Sequence, residues 1–158
     1  HLNDAKSTER DYSYLLAFSE VMPEGEPLCQ VGPCVSRTLG LLSHTIGDLD
    51  QAVEHFEDSV ALCRPAGFRP ESAWTCSDYA ETLSKRDDEG DRAKAMSLLD
   101  ESLTISTELS MRPLMERVLD RQEILYRRKV VKGVYNRLLT VSIVPLPHLQ
   151  PVTTRTAD

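Results

Sequence analysis

The 158-residue sequence has few aromatic side chains and no long apolar run. Aromatic residues make up 6% of it, and Leu and Ala supply much of the apolar content, which favours helices over sheets. No stretch reaches the roughly 18 apolar residues of a membrane-spanning helix, so we expect no membrane segment. The polar N-terminus, HLNDAKSTERDY, does not look like a secretory signal, which predicts a cytoplasmic location. The missing initiator Met suggests a fragment of a longer protein.

The sequence also lacks the motifs of common catalytic and metal sites. Its histidines do not form H-E-x-x-H, and no serine stands in G-x-S-x-G. The acidic cluster 87–89 has no calcium-loop spacing, so a solvated turn is the simpler interpretation. His44 and His55 fall on successive predicted helices and could meet, but exposed helix histidines are the expected case. We therefore predict a protein that is not an enzyme and uses no cofactor or metal.

Cysteine is sparse and its spacing is uninformative for metal binding. The four cysteines are Cys29, Cys34, Cys63 and Cys76. The first two form C-x4-C, which is neither a zinc-ribbon nor a redox spacing, and no second pair or His doublet completes a metal site. We expect reduced, mostly buried thiols rather than a disulfide or metal framework.

Acidic residues are nearly absent from the C-terminal part of the chain. Of 25 acidic residues, 24 lie within residues 1–123, and none lies between Ile124 and Ala157, where six Lys and Arg occur. Such a basic tail could bind nucleic acid or anionic lipid. The interpretation we favour is a solvated tail that rests on the chain's own acidic surface, because it has no aromatic platform or recognition motif. No nucleic-acid or membrane partner is predicted.

What the sequence does contain is an internal repeat with a period of 43 residues. Prolines and glycines recur at this spacing: Pro27, Pro70 and Pro113; Gly47, Gly90 and Gly133. Proline suits the first turn of a helix and glycine suits a turn, so each unit is predicted to be a helical hairpin. Helices are expected at 4–20, 33–46, 49–64, 71–86, 91–109 and 113–128. The predicted fold is all-α, a right-handed stack of antiparallel hairpins over 4–128, followed by a basic, proline-containing tail, 129–158, that is partly helical or flexible.

The apolar spacing is helical, and small residues mark close helix approaches. Apolar stripes occur at Leu39, Leu42 and Ile46; Ala52, Phe56 and Val60; Ala95, Leu99 and Leu103. Gly40, Ala52, Ala80 and Ala95 fall where two helices would have to come together. An unrelated helical bundle is the alternative to a repeat stack.

Residues 33–66 resemble a tetratricopeptide repeat. The matching positions are Leu39–Gly40, Gly47, Ala52 and Phe56. The second unit matches at Gly90, Ala95 and Leu99, but it has Tyr79–Ala80 in place of Leu-Gly and a loop about three residues longer than the repeat pattern. Over about residues 10–120 the chain also resembles the C-terminal helical region of large bacterial signalling ATPases, which include LuxR-type regulators and cyclase-associated ATPases. It has no phosphate loop and no C-terminal helix-turn-helix.

The resemblance implies a protein–protein interaction or scaffold module, the sensor or partner-binding part of a bacterial signalling protein. On the repeat template the groove-facing positions are Arg37, Leu41, His44, Trp74, Ser77 and Glu81. Trp74 is the only tryptophan, and it either binds a partner or caps the core between helices. The alternatives are an effector-sensing domain with a small molecule in the concave surface, and a self-associating scaffold with a two-fold contact near 113–144.

Overall fold

The computed structural model describes residues 2–21 and 34–141, and in these ranges every element is an α-helix. The six helices are α1 (Leu2–Val21), α2 (Val35–Ile46), α3 (Leu49–Ala66), α4 (Arg69–Arg86), α5 (Asp91–Glu108) and α6 (Arg112–Val141). The all-α prediction is confirmed for this part of the chain. Predictions that concern Pro27, Cys29, Pro33 and the segment from residue 142 onward lie outside the described residues.

Glycine and proline set several helix boundaries as the sequence predicts. Gly47 ends α2 in the left-handed conformation, with φ of 100°, and its N–H donates to the carbonyl of Ser43. Asp48 then caps α3, because its carboxylate accepts from the backbone N–H of Gln51. Helices α4 and α6 both begin with an Arg-Pro pair, so proline lies in the first turn of each, where it loses no helical hydrogen bond.

The third glycine of the 43-residue series does not mark a turn, and this prediction is wrong. Gly133 lies within α6, which continues to Val141 instead of ending near residue 128. A single interior glycine costs a helix only about 1 kcal/mol relative to alanine, and no proline follows until Pro145. The helix therefore continues through this position.

Two compact units divide the chain, His1–Leu125 and Tyr126–Asp158. The described part of the second unit, up to Val141, is helical. No helix among the described residues is both long enough and apolar enough to cross a membrane.

The first unit contains an apolar core in which α3, α4, α5 and α6 take part. Small residues allow the helices to approach closely, since Ala52 and Ala95 have no exposed surface. The rings of Phe56 and Tyr79 stack at its centre, with centroids 5.8 Å apart. Gly40 of α2 lies directly against the Phe56 ring. The predicted close approach is confirmed at Gly40, and the burial of Ala52 and Ala95 agrees with the prediction for those positions.

The described cysteines are free and buried, as predicted. They are Cys34, Cys63 and Cys76. Burial raises the pKa of the Cys63 thiol to about 11 and that of Cys76 to about 12. Both thiols therefore stay protonated at neutral pH.

Candidate interaction face

A buried carboxylate on α4 is the centre of a polar cluster in the first unit. Asp78 is 2% exposed, and its Oδ2 atom accepts from Nε and Nη2 of Arg37, at 3.0 and 2.8 Å. Its Oδ1 atom accepts from Nη2 of Arg117 at 3.0 Å, while Nη1 of Arg121 lies 3.8 Å away. Arg37 comes from α2 and the other two arginines from α6, so one carboxylate links three helices. We call the surface around this cluster the α2–α4–α6 face.

The tryptophan lies one helical turn before this carboxylate. The guanidinium carbons of Arg37 and Arg117 lie 5.6 and 5.8 Å from the centroid of the Trp74 ring, within the range of a cation–π contact. Trp74 is half-buried and also packs against the apolar core. Both sequence interpretations of this residue are therefore compatible with its position, since it packs against the core and is also partly exposed.

Arg121 lies beside Asp78 in this polar cluster. It donates to the Ser77 carbonyl at 2.9 Å, to the Ser77 hydroxyl and to the carboxylate of Glu81. Burial lowers the pKa of the Arg121 guanidinium, and the negative charge of Asp78 opposes that shift. Ser77 has no exposed surface, so its side chain does not reach the protein surface. The Glu81 side chain remains about half exposed.

The two remaining predicted groove residues lie further along α2. Nδ1 of His44 is 2.8 Å from the hydroxyl of Thr82, which joins α2 to α4. His44 is half-buried, and its pKa is lowered, first by desolvation and then by the nearby Lys85. Leu41 lies at the exposed surface of the same helix. Arg37, Trp74 and Glu81 thus belong to one connected cluster. His44 makes its own contact between α2 and α4.

Sequence reasoning missed the residues that hold this cluster together, which are Glu71, Asp78, Arg117 and Arg121. Glu71 accepts from the Cys34 backbone N–H at 2.9 Å and from the Arg37 guanidinium at 3.4 Å. A signal for the others was present, because Arg117 follows Trp74 by 43 residues and Arg121 follows Asp78 by the same interval. Extending the repeat template from Trp74 to the third unit would have found Arg117, whereas Arg121 corresponds to Asp78, which the template did not include.

The second helical histidine is buried, so the expectation of an exposed His55 is wrong. His55 is 8% exposed, and its Nε2 atom lies 2.9 Å from the hydroxyl of Tyr12 on α1. The pKa of His55 is lowered by desolvation, although Asp58, Glu54 and Asp48 oppose the shift. The packing of α1 covers this position, which the sequence pattern of α3 alone does not reveal.

Within the residues that the structure describes, no three His, Cys, Asp or Glu side chains are placed to hold a metal ion. Comparisons of the chain with protein-family models, with curated proteins and with solved structures found no match. The geometry of the α2–α4–α6 face is therefore the basis for a functional proposal.

Proposed function

We propose that this chain is a non-catalytic protein–protein interaction module that binds its partner on the α2–α4–α6 face. The observation that carries the proposal is the position of Trp74, half-buried and flanked by the guanidinium groups of Arg37 and Arg117. Tryptophan and arginine are the residue types that most often dominate the energy of protein interfaces. A single aromatic anchor among charged groups suits a peptide or a helix.

The fixed positions of these side chains support the proposal energetically. Binding normally costs about 0.5–1.5 kcal/mol for each flexible side chain that becomes ordered. Arg37 and Arg121 are already held by Asp78 and Glu81, and their side chains are only about 15% exposed. A partner would therefore meet a face whose long side chains need little further ordering.

A repeat architecture is part of the proposal. Residues at the 43-residue spacing contribute to the same cluster, and α4 and α6 each follow a turn as the first helix of a unit would. These features support a tetratricopeptide-like, right-handed stack of hairpins. Together with the sequence resemblance, they favour the partner-binding or scaffold part of a larger cytoplasmic bacterial signalling protein.

The test begins with a selection from a library of random displayed peptides on the immobilised chain. We expect selected peptides to bind the Trp74→Ala variant more weakly by about 2 kcal/mol or more, because the aromatic anchor is lost. Tyr14→Ala is the matched control, since Tyr14 is an exposed aromatic residue on α1, which is not one of the three helices of this face, and its removal should leave affinity unchanged.

Circular dichroism of each variant separates lost binding from lost structure. Should Trp74→Ala unfold, Trp74→Phe keeps an aromatic ring in the core and still removes the indole surface. If no peptide is enriched, or if a folded Trp74 variant binds selected peptides as the unmodified chain does, the proposed role of this face is wrong.

A further inference from the structure

One cation on the α2–α4–α6 face has no carboxylate partner among the residues that the structure describes. The arginines and the acids of this face pair with one another: Arg37, Arg117 and Arg121; Glu71, Asp78 and Glu81. Lys85 is exposed near the end of α4 and takes no part in these pairs. Its ammonium donates to the neutral backbone carbonyl of His44, 3.3 Å away, which occupies only one of its N–H donors. The positive charge of Lys85 is therefore available to a partner.

His44, which lies beside this ammonium, can accept a proton without losing its contact inside the protein. The Thr82 hydroxyl donates to the Asp78 backbone carbonyl at 3.1 Å, so it accepts from Nδ1–H of His44 in the 2.8 Å bond. The other ring nitrogen, Nε2, then carries the lone pair of the neutral ring. Nε2 has no hydrogen-bond partner among the described residues, and it is not buried. Protonation therefore adds an N–H donor that solvent or a partner can meet.

The surroundings of His44 favour its neutral form in the unbound protein. Burial lowers the pKa of its ring, and the nearby cations Lys85 of α4 and Arg121 of α6 lower it further. Asp78 of α4 opposes this shift, but its carboxylate also serves the arginines of α2 and α6. A carboxylate that a partner brings to Nε2 would raise the pKa of His44, because it stabilises the protonated ring.

We propose that the partner of the α2–α4–α6 face is an acidic peptide whose carboxylate binds between His44 and Lys85, with uptake of a proton from solvent at Nε2. This inference rests on the proposed function and names the chemistry of the partner for the same face. An ionised carboxylate can accept from the ammonium and from the protonated imidazole, and such charge-assisted hydrogen bonds are stronger than neutral ones.

The same peptide can also reach the tryptophan. Along α4, Trp74 and Thr82 are about 12 Å apart at a rise of about 1.5 Å per residue. About four residues of an extended peptide span this distance. A short peptide is therefore long enough to contact the indole with one side chain and the site between His44 and Lys85 with another.

Peptides selected from the random displayed library on the immobilised chain test the chemistry of the partner. We expect Asp and Glu to be enriched among them. Lys85→Gln should weaken the binding of a selected acidic peptide by about threefold or more, because one attracting charge is lost. The control is Lys6→Gln, since Lys6 is an exposed lysine on α1, which is not one of the three helices of this face.

Calorimetric titration of a selected acidic peptide, in buffers of different ionisation enthalpy, measures the proton uptake. Since the peptide raises the pKa of His44, its affinity should increase by about threefold or more as the pH falls from about 8 to about 5.5. His44→Asn keeps a donor for the Thr82 hydroxyl and should abolish both the proton uptake and the pH dependence. His55→Gln, at the other helical histidine, should leave both unchanged, and circular dichroism checks that each variant is folded.

The outcomes separate this inference from the proposed function. Selected peptides that are not enriched in acids, binding without proton uptake, or an unchanged proton uptake in folded His44→Asn would each overturn the inference. The proposed function would still stand if binding of those peptides depends on Trp74. If no peptide is enriched at all, the proposed function is wrong and this inference is wrong with it.

Discussion

The close approach of α2 and α3 at Gly40 allows a sharp test of how this hairpin is packed. A Cβ atom at this position would lie 2.9 Å from Cε1 of Phe56 and 3.0 Å from two further ring carbons. Favourable carbon–carbon contacts lie near 3.5–4.0 Å. The ring cannot move aside easily, because Phe56 has no exposed surface and stacks on Tyr79. Gly40→Ala should therefore strain the α2–α3 contact.

Two effects of opposite sign set the size of the change. Overpacking a core typically costs about 1–3 kcal/mol, whereas alanine in a helix interior gains about 1 kcal/mol over glycine. We expect Gly40→Ala to lower the free energy of unfolding by about 0–2 kcal/mol. Urea unfolding followed by circular dichroism measures it, with the slope m checked for constancy.

A double-mutant cycle identifies the cause. Phe56→Leu makes room for the added methyl group, so the double variant should be less destabilised than the sum of the two single changes, by about 0.5 kcal/mol or more. A Gly40→Ala protein that is about 1 kcal/mol more stable than the unmodified chain would show that helix propensity alone decides, and would refute the packing argument.

Three further predictions concern stability. Asp78→Asn should lower the free energy of unfolding by about 3–5 kcal/mol, because it leaves the surrounding arginines without their buried counter-charge. The control is Glu108→Gln, which breaks an exposed ion pair and should lower it by about 1 kcal/mol or less. Thermal melts compare the two variants. Burial lowers the pKa of His55 below its ordinary 6.5, so the unfolded chain takes up the proton first as the pH falls. The contribution of His55 to stability is therefore greatest above pH 6.5 and is lost as the pH drops towards the folded pKa. His55→Gln should flatten this dependence of the unfolding free energy on pH, measured by urea titrations, and an unchanged pH dependence would contradict the argument. Ala52→Leu should overpack a site with no free surface and cost about 1–3 kcal/mol, whereas an unchanged urea midpoint would exclude the contact.

Local features of the sequence determined the helices. Apolar residues at helical spacing indicated α2, α3 and α5, and Gly47 and Pro70 marked boundaries because their backbones favour a turn and a first helical turn respectively. The small side chains of Ala52 and Ala95 indicated where helices approach, since only small residues fit there. These signals depend on neighbours in the chain, which is why the sequence alone was sufficient to read them.

The tertiary structure decided which polar side chains meet. The sequence does not reveal that Asp78 is buried among arginines from α2 and α6, because those residues lie about 40 positions away in either direction. Nor does the pattern of α3 show that α1 covers His55. A charged residue on a helix is normally solvated, and only the packing of neighbouring helices changes its surroundings. Contacts among side chains of α2, α4 and α6 produced the α2–α4–α6 face.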